Sequence, residues 1–230
     1  MTTQAHTAAA PAAYHDSGGS IPMLRTLGGL ALLSGCLLSL VYQGTSERIA
    51  RNFEARVRDA VFELLPGATQ QKVFEFSGPD ETGKDTPFTA YAGYDDTGRL
   101  VGVALEASDG NGYGGEIRFM YGYLPDTQQV VGMKVLLCKE TPGLGDRIKS
   151  DEAFQNNFKA LEVPLTDDAS TLAHPLAYAK PGKGGGPGQI EGISGATISS
   201  KAVARAMHGS ASLMLPAIRK HLSEMQENRP

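Results

Sequence analysis

Thr26–Ser46 is a run of 21 residues without a charge, and no other feature restricts the architecture of the chain as much. It carries Leu27, Leu30, Leu32, Leu33, Leu37, Leu38, Leu40 and Val41. As a helix rising ~1.5 Å per residue it measures ~30 Å, the thickness of a hydrocarbon core. The run reads as a lone, uncleaved membrane anchor. Two rivals share the pattern. One is a buried core helix. The other is a lipoprotein leader, because Leu33-Ser34-Gly35-Cys36 follows Arg25 and a short apolar stretch. Leu37, Leu38, Leu40 and Val41 continue the run past that cleavage point and weigh against it. Orientation is contradictory: Arg25 stands on the N side, and Arg48, Arg51, Arg56 and Arg58 on the C side. The positive-inside rule alone puts the C-terminal part in the cytoplasm, and Glu47, Glu54 and Asp59 offset little.

The chain has 230 residues and a formal net charge of −4. That suits one domain with an appendage. An acidic balance argues against nucleic acid as a partner. Trp is absent and aromatics make up 7%, which excludes a stacking platform for single strands. Cys36 and Cys138 are too few for a disulfide framework or a cysteine-ligated cluster.

Composition divides the chain into a disordered tail over 1–22, a transmembrane helix over 23–46 and a working domain over 47–230. Within the domain, Thr45 or Ser46 is placed to cap a helix with Ile49, Phe53, Val57, Val61 and Leu64 on one stripe, ended by Pro66-Gly67. Strand patterns follow at Phe88–Tyr94, Leu100–Ala107, Glu116–Tyr123 and Val130–Cys138. The Asp95-Asp96-Thr97-Gly98 and Pro125-Asp126 turns are short enough to demand antiparallel pairing. Ser150 is placed to cap a helix carrying Phe154, Phe158 and Leu161. Lys180–Gly192 reads as a loop, and a last helix begins near Thr197, with Pro216 bending or splitting it. The fold class is α+β: an antiparallel sheet with flanking helices on a single N-terminal transmembrane helix. Leu100-Val101-Gly102-Val103 and Val130-Val131-Gly132-Met133 echo each other 30 residues apart, each followed by a glycine-rich loop. They are either two clamps for one ligand or two unrelated amphipathic strands.

Several familiar chemistries are absent. Gly110-Asn111-Gly112-Tyr113-Gly114-Gly115 has the letters of a dinucleotide fingerprint, but a strand follows it where a helix is required. It remains a glycine-rich turn able to touch a ligand or partner. The five histidines have no ligand spacing, and there is no Gly-x-Ser-x-Gly elbow. The segment richest in chemistry is Glu191-Gly192-Ile193-Ser194-Gly195-Ala196-Thr197-Ile198-Ser199-Ser200, a small-residue turn that feeds a helix. Backbone N–H groups at Ile198–Ser200 and the helix dipole favour an anion there. Gly195 and Ala196 admit a bulky group, and the Thr197 hydroxyl is placed to contact a phosphate or be esterified to one. An ordinary helix cap has the same letters.

Ser194-Gly195-Ala196-Thr197 resembles the motif at which the FMN-binding domain family carries FMN through a phosphodiester to its threonine. Lys139-Glu140-Thr141-Pro142-Gly143-Leu144-Gly145-Asp146-Arg147-Ile148 resembles that family's loop beside the flavin ring, and Gly112–Ile117 lies at the expected distance upstream. Together with the anchor, over about residues 24–222, the pattern is similar to the G subunits of Rnf ion-translocating electron-transport complexes. Related to these are the C subunits of sodium-translocating NADH:quinone reductase. The resemblance implies an electron-relay subunit between ferredoxin and NAD, not a complete enzyme, carrying covalent FMN on Thr197. Ser194, Gly195 and Ala196 would shape the phosphate turn, with Ile198 and Ser199 on the helix start. Glu140, Thr141, Gly143 and Leu144 would line the isoalloxazine. It implies other membrane and peripheral subunits of the complex and a flavin transferase as partners. It also implies a single pass through the bacterial inner membrane with the C-terminal domain in the periplasm, against the arginine count. The alternatives are an anchored binding or assembly protein with a vestigial flavin site, which is from another class, and the corresponding subunit of sodium-translocating NADH:quinone reductase. The chain departs from the family pattern at Glu191, where Asp is usual, and at Leu137-Cys138, where Glu-His is common.

Overall fold

In the computed structural model, which describes residues 20–80 and 82–229, the chain forms two units, Met1–Asn52 and Phe53–Pro230. Residues 1–19 of the expected tail lie outside the described residues. The first unit contributes the start of helix α1 (Ser20–Leu64). Its apolar side chains, Leu27, Leu30, Leu33, Leu37 and Leu38 among them, are all exposed. By length and composition α1 is long and apolar enough to cross a membrane. The expected cap at Thr45 or Ser46 does not form. Both hydroxyls donate back to carbonyls of the preceding turn, at Val41 and Gln43, so the helix runs on without a break. Among the described residues no ion pair joins Arg48, Arg51, Arg56 or Arg58 to Glu47, Glu54 or Asp59.

The second unit is built on a six-stranded antiparallel meander in sequence order: β1 (Gln70–Pro79), β2 (Asp85–Tyr94), β3 (Leu100–Asp109), β4 (Ile117–Leu124), β5 (Gln129–Cys138) and β6 (Leu161–Glu162). The short turns dictate this order. At the Asp95 turn the carboxylate accepts from the Thr97 hydroxyl and from the Thr97 and Arg99 N–H groups. Those bonds, the Thr97 hydroxyl foremost, hold its carboxyl down at about 2. The α+β class and the four expected central strands stand as read. Strand β1 is additional. Its Gln70, Lys72 and Glu75 break the apolar pattern, and they suit an edge strand. After β5 come a 3₁₀ turn (Gly145–Lys149), helix α2 (Glu152–Asn156), a two-stranded parallel pair of β7 (Ala177–Ala179) and β8 (Gln189–Glu191), and helix α3 (Thr197–Glu227). Asp151, not Ser150, caps α2: its carboxylate accepts from the Phe154 N–H at 3.1 Å. The expected helix is also shorter, with Phe158 beyond its end and Leu161 in β6.

Both faces of the sheet are covered. On one, Val103, Leu105, Phe119, Tyr121 and Tyr123 pack with Ala202, Val203, Met207, Ala211, Leu215 and Ile218 of α3. The buried Tyr121 hydroxyl meets Ser210 Oγ at 2.9 Å, Ser210 donates to the Glu106 carbonyl, and Tyr94 donates to the Met225 carbonyl. Pro216 is buried against this face and α3 continues through it without splitting. On the other face lie Val57, Ala60, Val61 and Leu64, the helical stripe of the last turns of α1, with Leu65. Ala104, Met120 and Leu136 of the sheet pack with these residues, and glycines lie beneath Leu64 and Leu65. A Cβ added to Gly93, Gly102 or Gly132 would press on Leu64 or Leu65, and one on Gly122 would stand 2.9 Å from the Leu64 carbonyl oxygen. The repeated Val-Gly pair is thus explained by packing, as two strands flanking β4 that each leave room for the same helix end.

Gly122→Val should destabilise the domain by about 1–3 kcal/mol through overpacking against backbone that cannot yield. Urea unfolding followed by circular dichroism measures it, with Gly209→Ala, whose added Cβ meets nothing within 4 Å, as the comparison.

Candidate functional site

The turn before α3 is fixed from two sides. Ser200 Oγ accepts from the Ile193 N–H at 3.0 Å and donates to the Ala196 carbonyl at 2.9 Å. Arg147, itself tied to Asp151 at 2.6 Å, donates through Nη1 to the Ser194 carbonyl at 3.2 Å. Gly195 takes φ +85°, in the left-handed region, with open space where a Cβ would stand. No side chain caps α3, and its first turn contains no acid. The Ser200 N–H already donates to the Ala196 carbonyl. The donors that helix geometry leaves over are therefore those of Thr197, Ile198 and Ser199, one residue earlier than the expected set. Thr197 is exposed at this end.

Beside the turn lies Glu140, only 6% exposed. Its Oε2 accepts from Ser199 Oγ at 2.8 Å and its Oε1 from the Gly114 N–H at 3.2 Å. Three stretches far apart in sequence, the 110–115 loop, the 140–145 loop and the first turn of α3, are thereby joined at one carboxylate. Glycines make room for it: a Cβ on Gly112 or Gly145 would collide with the carboxylate oxygens, and one on Gly114 with the Lys139 carbonyl.

Around this junction opens a cleft of about 380 Å³, lined by Tyr113, Glu140, Thr141, Leu144, Gly145, Gly195, Ala196, Thr197, Ile198 and Ser199. The volume lies within the ~300–1,000 Å³ of small-molecule sites. Eight of the ten residues singled out from the sequence are among these. Ser194 and Gly143 are not: Ser194 holds the turn through its carbonyl, and Gly143, at φ +76°, donates its N–H to Asp146 Oδ1 at 2.7 Å. That bond, with the Leu144 N–H donating to the Thr141 carbonyl, commits both donors within the loop. Tyr113 and Gly145 are additions to the site. Their signal was an aromatic residue set among glycines and a glycine just after Leu144, but only contact across the fold gives either a place. Glu191 does not reach the cleft lining; its carboxylate accepts from the Gly182 N–H in the loop before β8. Leu137 and Cys138 pair with Arg118 and Ile117 at the end of β5.

The rim is apolar and open. Tyr113 is 71% exposed, Leu144 55% and Ile198 49%. One end of the cleft suits an anion and the rest a flat apolar body, which are the two halves of a flavin mononucleotide.

The FMN-binding domain family matches residues 112–211, a span that holds every residue of the cleft. The G subunit of the ion-translocating oxidoreductase complex of Methanosarcina acetivorans is 31% identical over 195 residues, covering 85% of this chain and 94% of that protein. The corresponding protein of Pseudomonas aeruginosa is 35% identical over 204 residues, covering 84% and 89%. Among solved structures, the C subunit of the Na(+)-translocating NADH-quinone reductase of Parabacteroides distasonis is 21% identical with a TM-score of 0.48, covering 68% of this chain and 78% of that one.

Glu140→Ala should leave Ser199 Oγ and the Gly114 N–H unpaired in a buried place, costing about 1–3 kcal/mol. Glu140→Gln, which keeps one acceptor and gains a donor for Ser199 Oγ, should recover most of that loss. Denaturant midpoints of the two variants make the comparison.

Proposed function

The chain belongs to the family of G subunits of ion-translocating oxidoreductase complexes, and on that premise we propose that the cleft beside Thr197 holds FMN as a phosphodiester on the Thr197 hydroxyl. The chain is an electron-transfer subunit with an FMN-binding domain, and other subunits of the complex are its partners. The finer reading is an Rnf-type relay between ferredoxin and NAD. The observation that carries the site is the exposed Thr197 hydroxyl at an uncapped helix start, in the same cleft as three exposed apolar side chains.

FMN, when bound, supplies one- and two-electron transfer. The chain does the rest. For attachment, a flavin transferase would draw on a flavin dinucleotide: its phosphoanhydride bond would break, the Thr197 Oγ would take the flavin phosphate as its proton is released, and the nucleoside monophosphate would leave. Gly195 and Ala196 leave the approach open, and the N–H groups of Thr197, Ile198 and Ser199 would hold the phosphate. Leu144, Ile198 and Thr141 would shield the ring from water, while Ser194 and Gly143 shape the two turns that hold these residues in place. The Glu140 carboxylate, which lines the cleft, would disfavour negative charge on the ring and so lower its potential.

The division into a tail over 1–22, a transmembrane helix over 23–46 and a domain over 47–230 belongs to the same proposal. Family membership and the exposed apolar stretch of α1 support membrane association. The arginines after the anchor argue for a cytoplasmic domain by charge alone. We place the domain in the periplasm of the bacterial inner membrane, following the family.

Thr197→Ala should abolish covalent flavin and leave the fold unchanged, since one exposed hydroxyl is lost. Intact mass and the fluorescence of the denatured protein read it. Flavin persisting on the variant would move the attachment elsewhere, and a wild-type chain without flavin would favour an anchored assembly protein with a vestigial site.

The full chain fused at its C-terminus to a reporter enzyme that works only outside the cytoplasm should be active. Activity solely with a cytoplasmic reporter would show that the arginines set the orientation.

A further inference from the structure

We propose that Tyr113 is a flavin-contact residue, its ring closing one wall of the cleft against the face of the isoalloxazine; the inference rests on the cleft being the FMN site. Tyr113 is 71% exposed although it is aromatic and lines the same cleft as Thr197. Its hydroxyl makes no hydrogen bond among the described residues, so the fold itself makes no use of the ring. A Tyr kept out of the core and aimed into an apolar cleft is suited to a flat, electron-poor partner, because aromatic faces stack with offset overlap.

The loop that carries Tyr113 is fastened at both ends. Asp109 Oδ1 accepts from the Asn111 N–H at 2.6 Å, and Arg205 bonds Asp109 Oδ2 at 2.8 Å and the Asn111 carbonyl at 3.4 Å. On the other side the Gly114 N–H is held by Glu140. Only Gly112 and Tyr113 lie between the fastenings. Gly112 has no space for a side chain next to Glu140, so this stretch is pressed onto the 140–145 loop. The backbone is therefore set and the ring alone is free to turn about its own side-chain bonds. Tyr113 can swing but cannot leave the mouth of the cleft.

Tyrosine in contact with an excited flavin quenches its emission: the phenol gives the flavin one electron and takes it back, and neither is changed in the end. The test uses the full chain with the flavin it acquires in the cell, as wild type, Tyr113→Phe and Tyr113→Leu. Flavin loading is read from intact mass and from emission after denaturation, and emission of the native protein is then expressed per bound flavin. Native emission should rise several-fold in Tyr113→Phe, which keeps the ring and loses the easily oxidised phenol. In Tyr113→Leu it should rise as well, and iodide should quench it more strongly because the flavin face is uncovered. Unchanged native emission and unchanged iodide quenching in both loaded variants would overturn the assignment of Tyr113 while leaving the FMN site standing. A wild-type chain with no flavin at all would overturn the site and this inference together.

Discussion

An antiparallel sheet with apolar side chains on both faces has to be covered twice, and the rest of the domain follows from how the chain supplies the two covers. One is α3, which lays Ala202, Val203, Met207, Ala211 and Leu215 over β3 and β4. The other is the Val57–Leu65 stripe, which closes the opposite face. Close packing on that second face needs a sheet surface without side chains beneath Leu64 and Leu65, so Gly93, Gly102, Gly122 and Gly132 stand there. Both faces are thereby largely covered. The cleft forms at one end, where β5 runs out into the Glu140 loop and α3 begins.

At that end the polar chemistry is concentrated on one buried carboxylate. Glu140 accepts from a side-chain hydroxyl on α3 and from a backbone N–H in the loop after β3. It thus satisfies its own hydrogen-bonding demand while fixing the spacing of the cleft walls. Ser200 does the same for the turn below it. The N–H groups of the first turn of α3 are thereby held in position without being consumed.

Much of this was legible in the sequence, for reasons that differ by element. The four central strands announce themselves by short turns with Asp, Gly and Pro at fixed places. The start of α3 at Thr197 is marked by small residues giving way to an apolar period. Strand β1 is hidden because an edge strand carries Gln, Lys and Glu where a central one would carry Val or Ile. The break expected at Thr45 and Ser46 fails because hydroxyls that cap a helix equally well bond back within one. Eight cleft residues were found because two motifs happen to be contiguous in sequence. Tyr113 and the bonds of Glu140 were not, since a contact between residues 114, 140 and 199 has no local signature.

The exposed hydroxyl of Thr197 also bears on timing. It stands on a helix turn held by Ser200 and Glu140. An enzyme that modifies this hydroxyl meets a finished domain and needs no partial unfolding to reach it. On the proposed reading, attachment at Thr197 would then be separable from folding, since the turn that presents the hydroxyl is held by the chain's own bonds.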